Sequence, residues 1–173
     1  NQLFNKTNVA AELRLTDNVS GLDPTSLQIL LDNVSVKNQF TPLTQPILNA
    51  TLTANLSVAQ GIHTLRASVR DLSGQMASAS VRFTVDTTAP VINNLIPADG
   101  SLLNNATPKI SAFWSDNLSG INLASARILL DGSDVTLQAQ KTQTSFNLTP
   151  SSPLSDGLHT LFVSIKDRAD NEA

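Results

Sequence analysis

A chain of 173 residues with a formal net charge of −3, 14% charged residues and no cysteine narrows the field before any motif is read. Average soluble domains carry roughly 25% charged residues; here Ser, Thr, Asn and Gln carry the polarity, so no basic stripe exists to supply the electrostatic part of nucleic-acid binding. The absent cysteines exclude disulfides, thiol catalysis and Cys-ligated zinc, and no apolar run approaches the roughly 20 residues of a membrane-spanning helix, so neither nucleic acid nor membrane insertion is expected.

Residues 9–16, VAAELRLT, alternate Ala11, Leu13 and Leu15 against Ala10, Glu12 and Arg14, the period of a half-buried strand. The phrase DNVSGLDPTSLQILLD, residues 17–32, then joins a turn cluster to a short strand-like run at 27–31. It ends at Asp32-Asn33, a pair tolerant of positive φ and suited to a tight hairpin. Residues 34–60 contain Pro42 and Pro46, which restrict the segment to edge strands or loops. Loops held on a rigid sandwich are where binding specificity usually sits.

The most regular strand follows in GIHTLRASVRD, residues 61–71, with Leu65, Ala67 and Val69 on the inward phase and Thr64, Arg66, Ser68 and Arg70 outward. His63 shares the inward phase at the strand start. With no second His or Cys nearby in sequence, it is expected to cap the strand mouth through a backbone hydrogen bond rather than to hold a metal. After the turn Leu72-Ser73-Gly74, residues 77–85 alternate Ala79, Val81, Phe83 and Val85 with Ser78, Ser80, Arg82 and Thr84. The junction DTTAP at 86–90 breaks that pattern, and Pro90 stiffens it.

The chain then writes the same phrases again. Residues 91–96 open a second unit, stopped by Pro97 and the Asp99-Gly100 turn, and residues 109–115 place Ile110, Ala112 and Trp114 on the inward phase. Trp114 stands where the first copy has Leu15. That phase assigns the chain's single Trp to the core rather than to a carbohydrate-stacking platform. DNLSGINLASARILLD at 116–131 repeats the first phrase and GLHTLFVSIKD at 157–167 the second, with His159 in the place of His63. The first phrase recurs after 99 residues (116 − 17) and the second after 96 (159 − 63), so the first copy holds three more residues between them. Residues 135–156, with Pro150 and Pro153, are the second divergent segment.

Two copies of roughly 85 residues lie near the size of an immunoglobulin-type sandwich and exceed the repeats of solenoids and propellers. The reading is all-β: two tandem immunoglobulin-like β-sandwich domains at 1–86 and 91–173, with a linker at 87–90. Counting by the repeat, the first unit is expected to lack its opening strand and the second its closing strand. A longer parent chain or strand donation between neighbouring molecules would account for that expectation.

The DNxSG turn, the strand ending LLDG, PLSDGLHTLFVSIKDRADN and the DTTAP junction together resemble the tandem bacterial Ig-like domains of surface proteins, adhesins and large extracellular enzymes. The resemblance covers essentially the whole chain. It implies two-sheet sandwiches in series, used as stalks, spacers or adhesive modules, with no catalytic residues to carry over. Leu72-Ser73-Gly74-Gln75 and Arg168-Ala169-Asp170-Asn171 depart from the family's Asp-x-Ala-Gly-Asn turn. Function by this route is analogy.

Enzyme chemistry is not expected. Only Glu12 and Glu172 are glutamates, nearly all aspartates sit in turns, and no phosphate loop, G-x-S-x-G elbow or H-E-x-x-H occurs. The best chemical hypothesis is calcium on the strand-end pairs Asp17 and Asp71, and Asp116 and Asp167, because hard cations want several oxygen ligands. Against it stands a structural reading in which Asp17 and Asp116 close Asx-turns on their own backbone. N-x-[ST] triplets at Asn5, Asn18, Asn33, Asn49, Asn55, Asn105, Asn117 and Asn147 are glycan acceptors only in a host that glycosylates exported proteins.

The expected role is a non-catalytic structural or adhesive repeat segment, a stalk or spacer, of a larger secreted or cell-surface protein. Its partners would be neighbouring Ig-like domains of the same chain or adjacent copies, with a host or surface glycan or protein as a further ligand. The alternatives are a ligand- or carbohydrate-binding accessory module of an extracellular enzyme and a strand-donating subunit of an extracellular filament.

Overall fold

Period-2 alternation lays down strand after strand, and the computed structural model, which describes residues 2–173, is all-β apart from one 3-10 turn at Lys37–Gln39. Its contacts divide it between Thr87 and Thr88 into two units, each an Ig-like β-sandwich with its own core.

The first unit holds β1 (Gln2–Phe4), β2 (Asn8–Thr16), β3 (Leu22–Leu31), β4 (Val34–Ser35), β5 (Asn49–Ser57), β6 (Gly61–Asp71) and β7 (Met76–Val85). One sheet runs β1-β7-β6-β3-β4 and the other pairs β2 with β5. The inward phases meet between them: Val9 and Leu15 from β2, Leu27 and Ile29 from β3, Leu52 and Leu56 from β5, Val69 from β6, and Phe83 and Val85 from β7. The second unit holds β8 (Val91–Ile96), β9 (Ile110–Ser115), β10 (Ile121–Leu130), β11 (Ser133–Asp134), β12 (Gln140–Lys141), β13 (Ser145–Leu148) and β14 (Leu161–Asp167). Its sheets are β12-β13-β9-β8 and β11-β10-β14. Trp114 is 1% exposed and packs 5.6 Å from the Phe146 ring, while its Nε1–H donates to the Thr142 carbonyl at 3.0 Å, so both the apolar body and the polar edge of the indole are satisfied inside the sandwich.

The repeated phrases fold alike. Asp32 and Asn33 have φ of 50° and 69°, and Asp131 and Gly132 have 51° and 77°, so two different residue pairs make the same doubly left-handed hairpin turn. Each long strand also carries a register shift, between Asp23 and Gln28 on β3 and between Asn122 and Arg127 on β10. A serine fills each gap. Ser26 Oγ donates to Asp23 O at 2.8 Å and accepts the Arg70 N–H at 2.7 Å; Ser125 Oγ donates to Asn122 O at 2.7 Å and accepts the Lys166 N–H at 2.8 Å. A hydroxyl that both donates and accepts thus restores the ladder where the backbone cannot.

Two features depart from the sequence reading. Gln2–Phe4, ahead of the first strand expected from the sequence, forms β1 and runs parallel to β7, with Phe4 edge-on to Phe83 at 5.7 Å. Along 77–85 burial does not alternate: only Phe83, Thr84 and Val85 are buried, and Val81, expected inward, is 50% exposed. Within 34–60 the whole of β5 pairs with β2, from Asn8↔Ser57 to Thr16↔Asn49, in keeping with the edge strands or loops expected of the divergent segment. On β14, Ile165 exchanges two 3.0 Å hydrogen bonds with Ala173, the register that Val69 and Ala77 hold in the first unit.

Candidate functional site

The turn clusters bring each expected pair of aspartates together at one end of its own unit. In the first, Asp17 Oδ2 accepts the N–H groups of Val19 at 3.1 Å and Gly21 at 2.6 Å, while Asp71 accepts the Gln75 N–H and the Ser73 hydroxyl, both at 2.8 Å. Ser20 Oγ lies 3.5 Å from both Asp17 Oδ2 and Ser73 Oγ, and the Leu72 N–H donates to Gly21 O at 2.9 Å, which ties the two turns together. The Gly21 N–H does most to hold the Asp17 carboxyl below the usual carboxylate range, against desolvation and the nearby Asp71 charge. The Ser73 hydroxyl does the same for Asp71.

The second unit repeats the arrangement. Asp116 Oδ1 accepts the N–H groups of Leu118 and Gly120, Asp167 Oδ1 accepts those of Ala169 at 2.8 Å and Asn171 at 2.9 Å, and the Arg168 N–H donates to Gly120 O at 2.9 Å. Every one of the four carboxylates therefore closes its own turn, as the structural alternative requires. The pairing keeps the chemistry of a hard-cation site as well. A carboxylate oxygen of Asp116 and one of Asp167 lie within 4.8 Å of each other, with Asp167 fully buried. Calcium gathers about 6–8 oxygens at about 2.3–2.6 Å, so two carboxylates at this separation can share one ion but supply only part of its shell.

At the other end of each unit stands a pair that the sequence reading did not join. His63 Nδ1 lies 2.6 Å from Asp32 Oδ2 and its Nε2 2.9 Å from Ala59 O; His159 Nδ1 lies 2.7 Å from Asp131 Oδ2 and its Nε2 2.8 Å from Ser155 O. The backbone bond expected of each histidine is present, and the aspartate of the hairpin turn is the second partner. Asp32 Oδ1 also takes the Thr64 N–H at 2.8 Å, and Asp131 Oδ1 the Thr160 N–H at 2.7 Å. These bonds depress both carboxyls, led by His63 for Asp32 and by the Thr160 N–H for Asp131. The Ser155 carbonyl, followed by Asp131, raises the pKa of His159 above its ordinary 6.5. The signal was in the repeat: both copies keep Asp at the hairpin and His at the strand start.

No family model and no curated protein matches this chain. Solved structures do. The fibronectin(III)-like modules of Clostridium thermocellum CbhA align over 99% of this chain and 84% of theirs, at 15% identity and a TM-score of 0.45. SGBP-B of the Bacteroides ovatus mixed-linkage glucan utilization locus, in complex with a mixed-linkage heptasaccharide, aligns over 99% of this chain at 14% identity and a TM-score of 0.32; this chain spans 60% of its length.

Two depressions lie on the first unit, one of about 440 Å³ over Ala10, Glu12, Thr53 and Asn55 of the β2–β5 sheet and one of about 430 Å³ along residues 41–53. Among the described residues no helix is long and apolar enough to cross a membrane. Of the Asn-x-Ser/Thr asparagines all are exposed except Asn147, which is half-buried.

Proposed function

We propose that the chain is a non-catalytic structural or adhesive repeat segment, a stalk or spacer, of a larger secreted or cell-surface protein. The observation that carries this reading is where the repeated polar residues point. Asp17 and Asp116 close turns, Ser26 and Ser125 fill strand gaps, and Asp32 and Asp131 hold histidines. What the copies share is thus used for building a sandwich, as in a load-bearing repeat, and what differs lies in the segments between. Calcium belongs to this reading as a proposal: Asp116 with Asp167, and Asp17 with Asp71, would supply hard oxygen ligands and stiffen the turn-bearing end of each unit. The test is mechanical. Pulled between its ends, the chain should give two separate unfolding events of similar contour length; a single event, or unfolding at negligible force, refutes the stalk.

A ligand-binding accessory module of an extracellular enzyme is the second reading, favoured by Leu137 and Leu158, which stand 98% and 92% exposed in and just after the divergent segment of the second unit. Tight, specific binding on a glycan array, lost when residues 34–60 or 135–156 are exchanged, would establish it over the stalk.

A further inference from the structure

Each histidine joins the two ends of one divergent segment. Asp32 stands at the start of the first such segment and Ala59 at its end; Asp131 and Ser155 stand at the start and end of the second. A carboxylate and a carbonyl oxygen only accept hydrogen bonds, so an imidazole between them makes both bonds only as the imidazolium, with an N–H on each nitrogen. Once neutral, the ring keeps one N–H and turns a lone pair toward the other oxygen, at less than 3 Å. One of the two bonds then becomes a repulsion.

We propose that His159 is a pH-sensitive clasp, pinning the two ends of its unit's divergent segment together while doubly protonated and releasing the Ser155 end on losing a proton. The surroundings suit such a device. Around His159 the hairpin presents Asp131, and the loop presents the Ser155 carbonyl with Asp156 next in sequence. The raised pKa of His159 fits a ring whose charged form is the bonded one. The side chain of His159 is 27% exposed, so protons reach it without unfolding. Two units with different divergent segments retain the same three-part contact, which marks it as independent of what those segments contain.

The test uses the full chain labelled with ¹⁵N, following both ring nitrogens of each histidine and backbone amide exchange from pH 5 to 9. At the acid end both nitrogens of His159 should carry protons, with a midpoint above 6.5. Through that midpoint, exchange at residues 156–158 should accelerate beyond the base-catalysed rise of other exposed loops. Asp131→Asn should bring the His159 midpoint down. His159→Gln can donate to Ser155 O but cannot titrate, so it should abolish the extra pH dependence at 156–158. A single neutral tautomer of His159 held from pH 5 to 9, or a titration that leaves exchange at residues 156–158 following the other loops, overturns the proposal.

Discussion

Replacing Ile128 by Ala is the sharpest test of the two-core architecture. Ile128 has no exposed surface and belongs to the cluster that includes Ala112, Trp114, Phe146 and Ile165. Truncation at such a site costs about 2–5 kcal/mol, from lost transfer energy and the cavity left behind. Small domains are held by roughly 5–15 kcal/mol in total, so the change removes a large share of the second unit's stability. At about 4–8 °C per kcal/mol for a domain of this size, its midpoint should fall by an amount on the order of 10–30 °C. The chain supplies its own reporter, since its single Trp, Trp114, is fully inside that core. Trp fluorescence follows the second unit alone, whereas circular dichroism follows both. The control is Ile29→Ala, an equally buried isoleucine in the first core, which should lower one circular-dichroism transition and leave the Trp transition in place. Equal shifts of the Trp transition in both variants would show one shared cooperative unit. A shift in Ile128→Ala worth less than about 1 kcal/mol would show that Ile128 is not packed as described.

Ser125→Ala should destabilise the second unit by about 1–3 kcal/mol, because the Lys166 N–H loses its acceptor and the Asn122 carbonyl a donor; chemical denaturation monitored by Trp114 measures it, and a neutral result would deny the serine its place in the ladder. His159 has a raised folded pKa, so its contribution is complete below pH 6.5 and is lost as pH rises through the folded value. The Trp-monitored midpoint should therefore fall between mildly acidic and mildly alkaline pH, and not in His159→Gln. Asp131 is depressed, so its contribution is present above about 3.8 and is lost as pH falls through the lower folded value; Asp131→Asn should flatten that acid limb. Millimolar calcium should raise the midpoint of the second unit and Asp167→Asn should abolish the rise, with calorimetric titration as the check; an unchanged midpoint removes calcium from the account.

Much of the fold was legible because its cause is local. Period-2 alternation placed Leu15, Val69, Trp114 and Ile165 on inward phases, and all four are buried. Asp32-Asn33 and Asp131-Gly132 announced their hairpins because positive φ is a property of those residues themselves. The two aspartate pairs were legible as strand-end residues, though not the hydrogen bonds that join their turns. What tertiary structure alone decided depends on register between strands distant in the chain. Whether Ser26 meets the Arg70 N–H follows from a shift in pairing 44 residues away, and whether His63 meets Asp32 from a hairpin 31 residues earlier folding against the start of β6. The parallel seat of β1 on β7, and the exposure of Val81 despite its inward phase, are likewise set by packing and not by the local pattern. Alternation tells a side chain which face it belongs to; only the packed sandwich tells that face what, if anything, lies across from it.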